Sequence, residues 1–330
     1  MEHRKPMAPA VTSRRRPRRR TVAIALVLVI LLAAVAVSTA IATDTLGAGN
    51  LWERAVAKVD RFLAGPVPDR PAPGTILVAD PGESEEPEPD DPDASYDPGV
   101  EPSLVPLPTG PVDPGVVPAT PKPAHPRKPV DVDIVKNHDA VFAHELNKSW
   151  CSPAGVQMVL AILGHANTSN AFQRELQDRV HEWESVKDSR NGLWGPSAMS
   201  LALDAYGVKG YEVRAYQTRQ GALRDGARAI KATRSPVILL AWRGAHTWVM
   251  TGYRADADPT VFSDARIDGA YILDPWYPDI SSIWGPSDPP GTFQNDAEMV
   301  RNYLKWKRPE GSYPQRDGLY ISVVPTIKAS

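Results

Sequence analysis

The stretch Asn147-Lys-Ser-Trp-Cys-Ser-Pro-Ala-Gly-Val-Gln-Met-Val-Leu160 passes from a polar turn into an apolar run of helical period, and it predicts a helix that opens at Cys151. Cys151 is the one cysteine of the 330-residue chain, so it has no partner for an intramolecular disulfide. At the start of a helix, free backbone N–H groups and the positive end of the helix dipole favour a thiolate. Packing, chance or chemistry can each explain a lone cysteine, and its surroundings in the chain must decide among them.

The N-terminal part of the chain predicts a membrane anchor. Residues 1–20 form a basic tail that ends in Arg14-Arg-Arg-Pro-Arg-Arg-Arg20, and residues 21–43 carry no charge. As a helix, an apolar run of this length spans a bilayer core of about 30 Å. The arginines predict a cytoplasmic N-terminus and an extracellular C-terminal part, in a single-pass protein of the cell membrane. Since the basic block adjoins the span, we do not interpret it as nucleic-acid binding. The pattern Ala40-Ile-Ala42 leaves a cleaved secretory signal as the alternative.

The composition changes twice more before the folded part begins. Residues 44–64 predict a juxtamembrane amphipathic helix. Residues 65–129 are rich in proline and acidic residues, which cannot bury enough apolar surface to fold, so we expect a disordered linker there. The folded domain is then residues 130–330, which is large enough to fold around its own core without disulfides.

Helical patterns precede a series of strand patterns within residues 130–330. We predict helices at 151–164, 169–183, 197–206 and 221–232, and strands at 211–216, 236–242, 247–253, 270–274 and 318–324. This order indicates an α+β domain in which a helical half packs on an antiparallel sheet.

Two residues downstream of Cys151 are placed to assist a thiol nucleophile. His246 begins a strand in Arg243-Gly-Ala-His-Thr-Trp-Val-Met250, and Asp274 ends the next one in Tyr271-Ile-Leu-Asp-Pro-Trp276. If the two strands pair as a hairpin, the two side chains lie next to each other. A thiolate nucleophile needs a base to take its proton and a third group to orient that base. The sequence therefore predicts a Cys-His-Asp constellation.

The motifs WCSPAGVQMVLAILG, PVILLAWRGAHTWVMTGYR and YILDPW, in this order, resemble those of papain-like cysteine peptidases of the bacteriocin-leader-processing type and their extracellular C39-like relatives. The resemblance covers most of residues 140–330. It implies a papain-like fold with Cys151 as nucleophile, His246 as general base and acid, and Asp274 as the orienting group.

Two positions depart from the pattern of that family: Ser152 stands where the family usually has glycine, and the more serious departure lies before the cysteine. Six positions before the cysteine the family has a glutamine, whose amide helps to hold the oxyanion, whereas this chain has Glu145. An ionised carboxylate would repel an oxyanion, and the loss of one such donor costs about 2.7–4 kcal/mol. Three readings follow from this: Glu145 is protonated, Asn147 takes the donor role through a shifted loop, or the enzyme is slow or inactive.

Aromatic residues beside the motifs are candidates for a substrate cleft, namely Trp150, Trp194 and Trp276. The histidines outside the motifs lack metal-ligand spacing, and we expect no metal and no cofactor. The expected function is hydrolysis of peptide or amide bonds in a peptide or protein substrate. The alternatives are an inactive papain-fold surface module that binds a peptide or cell-wall component, and a thiol enzyme that transfers an acyl or peptide group. No sequence feature determines the oligomeric state.

Overall fold

The computed structural model describes residues 65–79, 126–189, 194–307 and 311–328, together with positions 35, 38, 39, 59, 62 and 63. The predicted basic tail at 1–20 lies outside the described residues, as do nearly all of the predicted span at 21–43 and of the juxtamembrane helix at 44–64. Among the positions that are described, no helix has both the length and the apolar character needed to cross a membrane.

The first four helices begin and end close to the predicted positions, whereas the short helix at Asp296–Asn302 was not predicted. The described part of the chain contains the α-helices α1 (Cys151–Ile162), α2 (Asn170–Arg179), α3 (Pro196–Ala205), α4 (Arg219–Thr233) and α5 (Asp296–Asn302). Short 3-10 turns occupy Val180–Glu182 and Trp242–Gly244. Side-chain caps fix three of the helix starts: the hydroxyl oxygens of Ser169 and Thr218 accept from the backbone N–H groups of Phe172 and Gly221, and the amide oxygen of Asn295 accepts from that of Glu298.

The strands are β1 (Ile76–Val78), β2 (Val130–Asp133), β3 (Tyr211–Tyr216), β4 (Val237–Ala241), β5 (His246–Ala255), β6 (Ile267–Leu273), β7 (Ile280–Ser281), β8 (Gly285–Pro286), β9 (Thr292–Asn295) and β10 (Tyr320–Pro325). Eight of them form one sheet in the order β1-β3-β10-β4-β5-β6-β9, with β2 added to β5. β7 and β8 form a separate two-stranded sheet. The α+β class is therefore confirmed, and so is the hairpin pairing of β5 with β6.

The sheet differs from the prediction in two respects, because helices cover both of its faces and because one pair of its strands is parallel. On one face, side chains such as Ile238 and Leu240 of β4 pack with the core of α1, α2 and α3. On the other face, the alternate residues Val237 and Leu239 pack with α4 and α5. A strand buried on both sides is apolar at every position, which explains the continuous apolar run of β4. The exception to antiparallel pairing is β1, which runs parallel to β3.

The predicted linker at 65–129 is corrected over its first residues. Residues 66–79 belong to the same compact unit as the rest of the domain, and β1 lies within them. The carbonyl oxygens of Arg70 and Pro73 accept hydrogen bonds from Ser185 (2.5 Å) and Ser197 (2.8 Å). Composition favoured disorder here, but hydrogen bonds from the domain satisfy this proline-rich backbone. Residues 80–125 of the predicted linker lie outside the described residues.

Candidate active site

The pairing of β5 with β6 brings the histidine and the aspartate together. Val249 faces Leu273 across the hairpin, so His246 at the start of β5 lies beside Asp274, the residue that follows β6. The His246 Nε2 and Asp274 Oδ1 atoms are 2.7 Å apart, and both side chains are buried. Asp274 Oδ1 also accepts a hydrogen bond of 2.9 Å from the backbone N–H of Trp276. The carboxylate is thus held in place and in turn fixes the plane of the imidazole.

A close approach of α1 to β5 brings the cysteine to the same place. Gly155 lies one helical turn after Cys151, and a Cβ atom added to it would be 2.5 Å from Cγ2 of Thr247. Only glycine therefore allows the helix to lie this near the strand. The hydroxyl oxygens of Ser152 and Thr247 are 3.2 Å apart, which links the start of α1 to the start of β5 a second time.

Cys151 and His246 affect each other's charge. The Sγ atom of Cys151 and a ring nitrogen of His246 lie within 4.8 Å of each other. Burial by itself would raise the pKa of the Cys151 thiol, but the hydrogen bonding and charge of His246 outweigh it, so that the pKa lies below its usual value. Burial would likewise lower the pKa of His246, but the charge of Asp274 and its hydrogen bond, followed by Cys151, raise it to about 10. Each side chain therefore favours the charged form of the other, a thiolate beside an imidazolium.

A strained turn between β4 and β5 places a tryptophan against one face of the His246 ring. Trp242 stacks on the ring of His246 with a centroid distance of 3.9 Å and an interplanar angle of 18°. Three consecutive residues of this turn, Trp242, Arg243 and Gly244, have φ values of 51°, 60° and 85°. A left-handed conformation costs a residue other than glycine about 1–2 kcal/mol. The turn joins β4 to β5, and its strained conformation places the indole under the base.

Glu145 lies inside this cluster, where the sequence left its role open. One of its carboxyl oxygens is within 4.8 Å of both Cys151 Sγ and a His246 ring nitrogen, and its side chain is only 3 % exposed. Burial and then the charge of Cys151 raise the pKa of Glu145 to about 9, although His246 acts in the opposite direction. The carboxyl group is therefore neutral at pH 7.

The backbone around Glu145 is held on both sides. Gln173 of α2 accepts a hydrogen bond from the backbone N–H of Leu146 (2.8 Å) and donates one to the carbonyl of His144 (3.0 Å). The N–H of Glu145 itself donates to the carbonyl of Pro275, at 3.0 Å. These contacts direct the Glu145 side chain toward the nucleophile.

The other predicted oxyanion residue lies elsewhere. Oδ1 of Asn147 accepts from the backbone N–H of Ser149 (3.1 Å) and from its hydroxyl (2.9 Å). The Asn147 side chain is therefore used in the turn that leads into α1. Of the two residues considered for an oxyanion donor, it is Glu145 that the structure brings to Cys151.

Of the three tryptophans predicted at the cleft, the structure places one in its wall. Trp194 lines a cleft of about 180 Å³ that contains Cys151 and His246. Trp276 packs edge-on against His246 instead, with centroids 6.2 Å apart. Trp150 precedes α1 and is half-buried; neither Trp150 nor Trp276 is among the described residues that line the cleft.

Sequence reasoning missed most of the cleft wall, which includes Pro196, Met199, Leu240, Gly244 and Trp306. The ring of Trp306 lies against Gly244, where an added Cβ would come within 2.3 Å of it. Trp306 reaches the site from a segment outside the three motifs, so no local pattern could have identified it. Gly244 was the available signal, because a glycine in this turn permits a close packing partner.

Within the described ranges, one cluster has metal-binding residue types close together, namely Glu145, Cys151 and His246. Sequence spacing could not detect it, because the three residues come from distant segments. Two of its members already form a charge pair, and Asp274 holds the second ring nitrogen of His246. This is the arrangement of a nucleophile with its base, and we interpret the cluster as a site of thiol chemistry.

The comparison with protein families agrees with this interpretation. The model of the Peptidase C39-like family matches residues 130–304. Among solved structures, the chain is similar to the crystal structure of a double glycine motif protease from an AMS/PCAT transporter in complex with the leader peptide. The identity is 15 %, the match covers 60 % of this chain and 99 % of the other, and the TM-score is 0.29. No curated protein matches the chain significantly.

Proposed function

The chain belongs to the Peptidase C39-like family, and from this premise we propose that it is a membrane-anchored extracellular cysteine peptidase that uses Cys151, His246 and Asp274. The observation that carries the proposal is the convergence of the three side chains, with a 2.7 Å contact between His246 and Asp274 and with Cys151 Sγ within 4.8 Å of the imidazole. Packing alone does not require a buried cysteine, histidine and aspartate from three separate segments to meet beside a cleft.

The first half of the reaction forms a thioester. The Cys151 thiolate attacks the carbonyl carbon of the substrate amide, a C–S bond forms, and the carbonyl electron pair moves onto the oxygen. The backbone N–H of Cys151, which has no acceptor within the first turn of α1, is placed to stabilise that oxyanion. The imidazolium of His246 then gives its proton to the leaving nitrogen, and the C–N bond breaks.

The second half releases the acid. Neutral His246 takes a proton from a water molecule, which attacks the thioester carbon, and the thiolate of Cys151 leaves. Asp274 takes no part in these proton transfers; it orients the imidazole and stabilises its cationic form. Trp242 keeps the ring in the same plane in both halves of the reaction.

The membrane anchor and the orientation of the chain belong to the same proposal. Their support is the basic block at residues 1–20 next to the uncharged run at 21–43. Protease treatment of intact cells that express the full chain tests this. Digestion of a C-terminal tag, with protection of an N-terminal tag, is the expected result. Protection of both tags would contradict it.

Alkylation by iodoacetamide tests the nucleophile, since the chain has one cysteine and every label on it reports Cys151. We expect fast alkylation at about pH 6, where an ordinary thiol is protonated and reacts slowly. His246→Ala removes the charge that stabilises the thiolate, so it should slow the reaction by at least tenfold. Equal alkylation rates in the two proteins would refute the stabilisation of the Cys151 thiolate by His246.

The alternative is a papain-fold module that binds a peptide or a cell-wall component without cleaving it. It predicts that Cys151→Ala binds the peptide or cell-wall component as the wild-type protein does, and that neither protein cleaves it. A thiol transferase would instead give a product that retains the acyl group on an added amine rather than on water. Mass spectrometry of the products with and without an added amine separates transfer from hydrolysis.

A further inference from the structure

Glu145 is a third titratable group beside the nucleophile, and the reaction described above does not use it. Glu145 is 3 % exposed, and among the residues that the structure describes neither of its carboxyl oxygens has a hydrogen-bond partner. A buried polar group without a partner costs free energy. One of these oxygens lies within 4.8 Å of both Cys151 Sγ and the imidazole. The buried carboxyl group that costs this free energy therefore lies next to the proposed nucleophile and base.

The groups that face Glu145 determine its protonation state. Cys151 at the start of α1, Asp274 after β6 and Asp279 farther along the same turn favour the neutral acid, as does burial. His246 of β5 favours the carboxylate. Three negative or potentially negative groups and a dry environment outweigh one cation, and the pKa rises to about 9. The protonated group then has an O–H donor for which no described residue provides an acceptor.

We propose that Glu145 is a catalytic residue whose carboxylic O–H donates a hydrogen bond to the oxyanion that forms when Cys151 attacks a carbonyl group. The inference rests on the proposed function, because it requires that attack. The proton stays on Glu145: the C–S bond forms, the carbonyl electron pair moves to oxygen, and the O–H and the Cys151 N–H both point at the new charge. A carboxyl group kept neutral by an apolar site can serve an oxyanion in this way.

The surroundings of Glu145 fit this task. Its backbone cannot shift freely, because Gln173 holds the residues on both sides of it and Pro275 accepts its N–H. A donor that is already in position loses no free energy to reorganisation when the charge develops. The acceptor that Glu145 lacks in the structure is then supplied by the reacting carbonyl oxygen.

Two small probes separate this role from the activation of the thiol. p-Nitrophenyl acetate acylates Cys151 through an oxyanion, whereas iodoacetamide alkylates it by direct displacement and forms none. The p-nitrophenolate leaving group needs no proton, so the titration of His246 as an acid does not limit the acylation. The quantity to measure is the ratio of acylation rate to alkylation rate in the full-length chain in detergent, with Cys151→Ala as the blank.

Substitutions of Glu145 give the decisive comparison. In Glu145→Ala the ratio should fall by about 10²–10³-fold, the effect of removing one oxyanion donor. Glu145→Gln places an N–H donor at the same position and should restore most of that loss, and near-ultraviolet circular dichroism checks that both variants fold. An unchanged ratio in Glu145→Ala would overturn the role of Glu145 alone. A wild-type protein that is alkylated but not acylated would overturn the proposed function as well.

The pH dependence of the ratio provides a second readout that a structural role would not change. In the wild-type protein the ratio should fall above about pH 9, as Glu145 loses its proton. In Glu145→Gln it should remain flat over the same range, because the amide does not ionise. Parallel profiles in the two proteins would overturn the inference.

Discussion

A buried carboxyl group that keeps its proton makes the stability of the domain depend on pH. The pKa of Glu145 is raised from 4.5 to about 9. Between these values the folded protein binds one proton that the unfolded chain has lost. The free energy of unfolding therefore decreases as the pH rises, by about 1.4 kcal/mol per pH unit from this group. Glu145→Gln removes that contribution, because an amide is neutral in both states.

The quantity to measure is the free energy of unfolding of Glu145→Gln relative to the wild-type protein, compared at two pH values. From about pH 5.5 to about pH 8, the stability of Glu145→Gln relative to the wild-type protein should increase by roughly 3 kcal/mol. The titrations of Cys151 and His246 are present in both proteins and cancel to first order. Urea unfolding of the full chain, followed by the fluorescence of its nine tryptophans, measures this difference.

An exposed acidic residue provides the matched control. Glu182 pairs with Arg179 at 2.8 Å, and this contact lowers the pKa of Glu182, so that it is ionised in both states over this range. Glu182→Gln should therefore leave the pH slope unchanged. If Glu145→Gln also had the wild-type slope, Glu145 would ionise near its ordinary pKa, and the reasoning about its burial would be refuted.

Substitutions at three further positions test how the domain is packed, and two of them have a matched comparison variant. Gly155→Ala places a methyl group 2.5 Å from Thr247 Cγ2. It should lower the free energy of unfolding in urea by about 1–3 kcal/mol and slow the alkylation of Cys151. Wild-type values for both would show that α1 need not lie so close to β5. Trp242→Ala should lower the rate of amide hydrolysis and Trp242→Phe should recover part of it, whereas equal rates would mean that stacking does not hold the base. Arg316→Met removes the 2.6 Å ion pair with Asp188 and leaves that carboxylate buried, so it should lower the free energy of unfolding in urea by about 3–5 kcal/mol. The control is Arg266→Met, which breaks an exposed pair with Asp268 and should cost under about 1 kcal/mol. Similar losses in the two variants would refute this prediction.

The elements that could be predicted from the sequence are those whose residue pattern lies within one short segment. The apolar run after Cys151 defined α1, and the hairpin of β5 and β6 followed from two strand patterns, one that begins at His246 and one that ends at Asp274. These three segments are also those that meet at the site, which is why the relative positions of the three residues could be anticipated.

The parts that were missed depend on contacts distant in sequence. β1 lies in proline-rich sequence, and its partner β3 is far along the chain, so composition alone indicated a linker. Trp306 forms part of the cleft wall only because the chain returns to Gly244 after β9 and α5. The protonation of Glu145 depends on burial among groups from three other segments, and no sequence pattern encodes that environment.

Cleavage of peptide bonds by Cys151 is the central claim, and its most direct test is to identify the bonds that the protein cuts. A complex peptide mixture is incubated with the full-length protein or with Cys151→Ala, and the new N-termini are identified by mass spectrometry. We expect new termini with the wild-type protein and none above background with the variant. Identical termini in the two samples, from a wild-type protein whose Cys151 alkylates rapidly, would show that the thiol is activated but does not hydrolyse peptides.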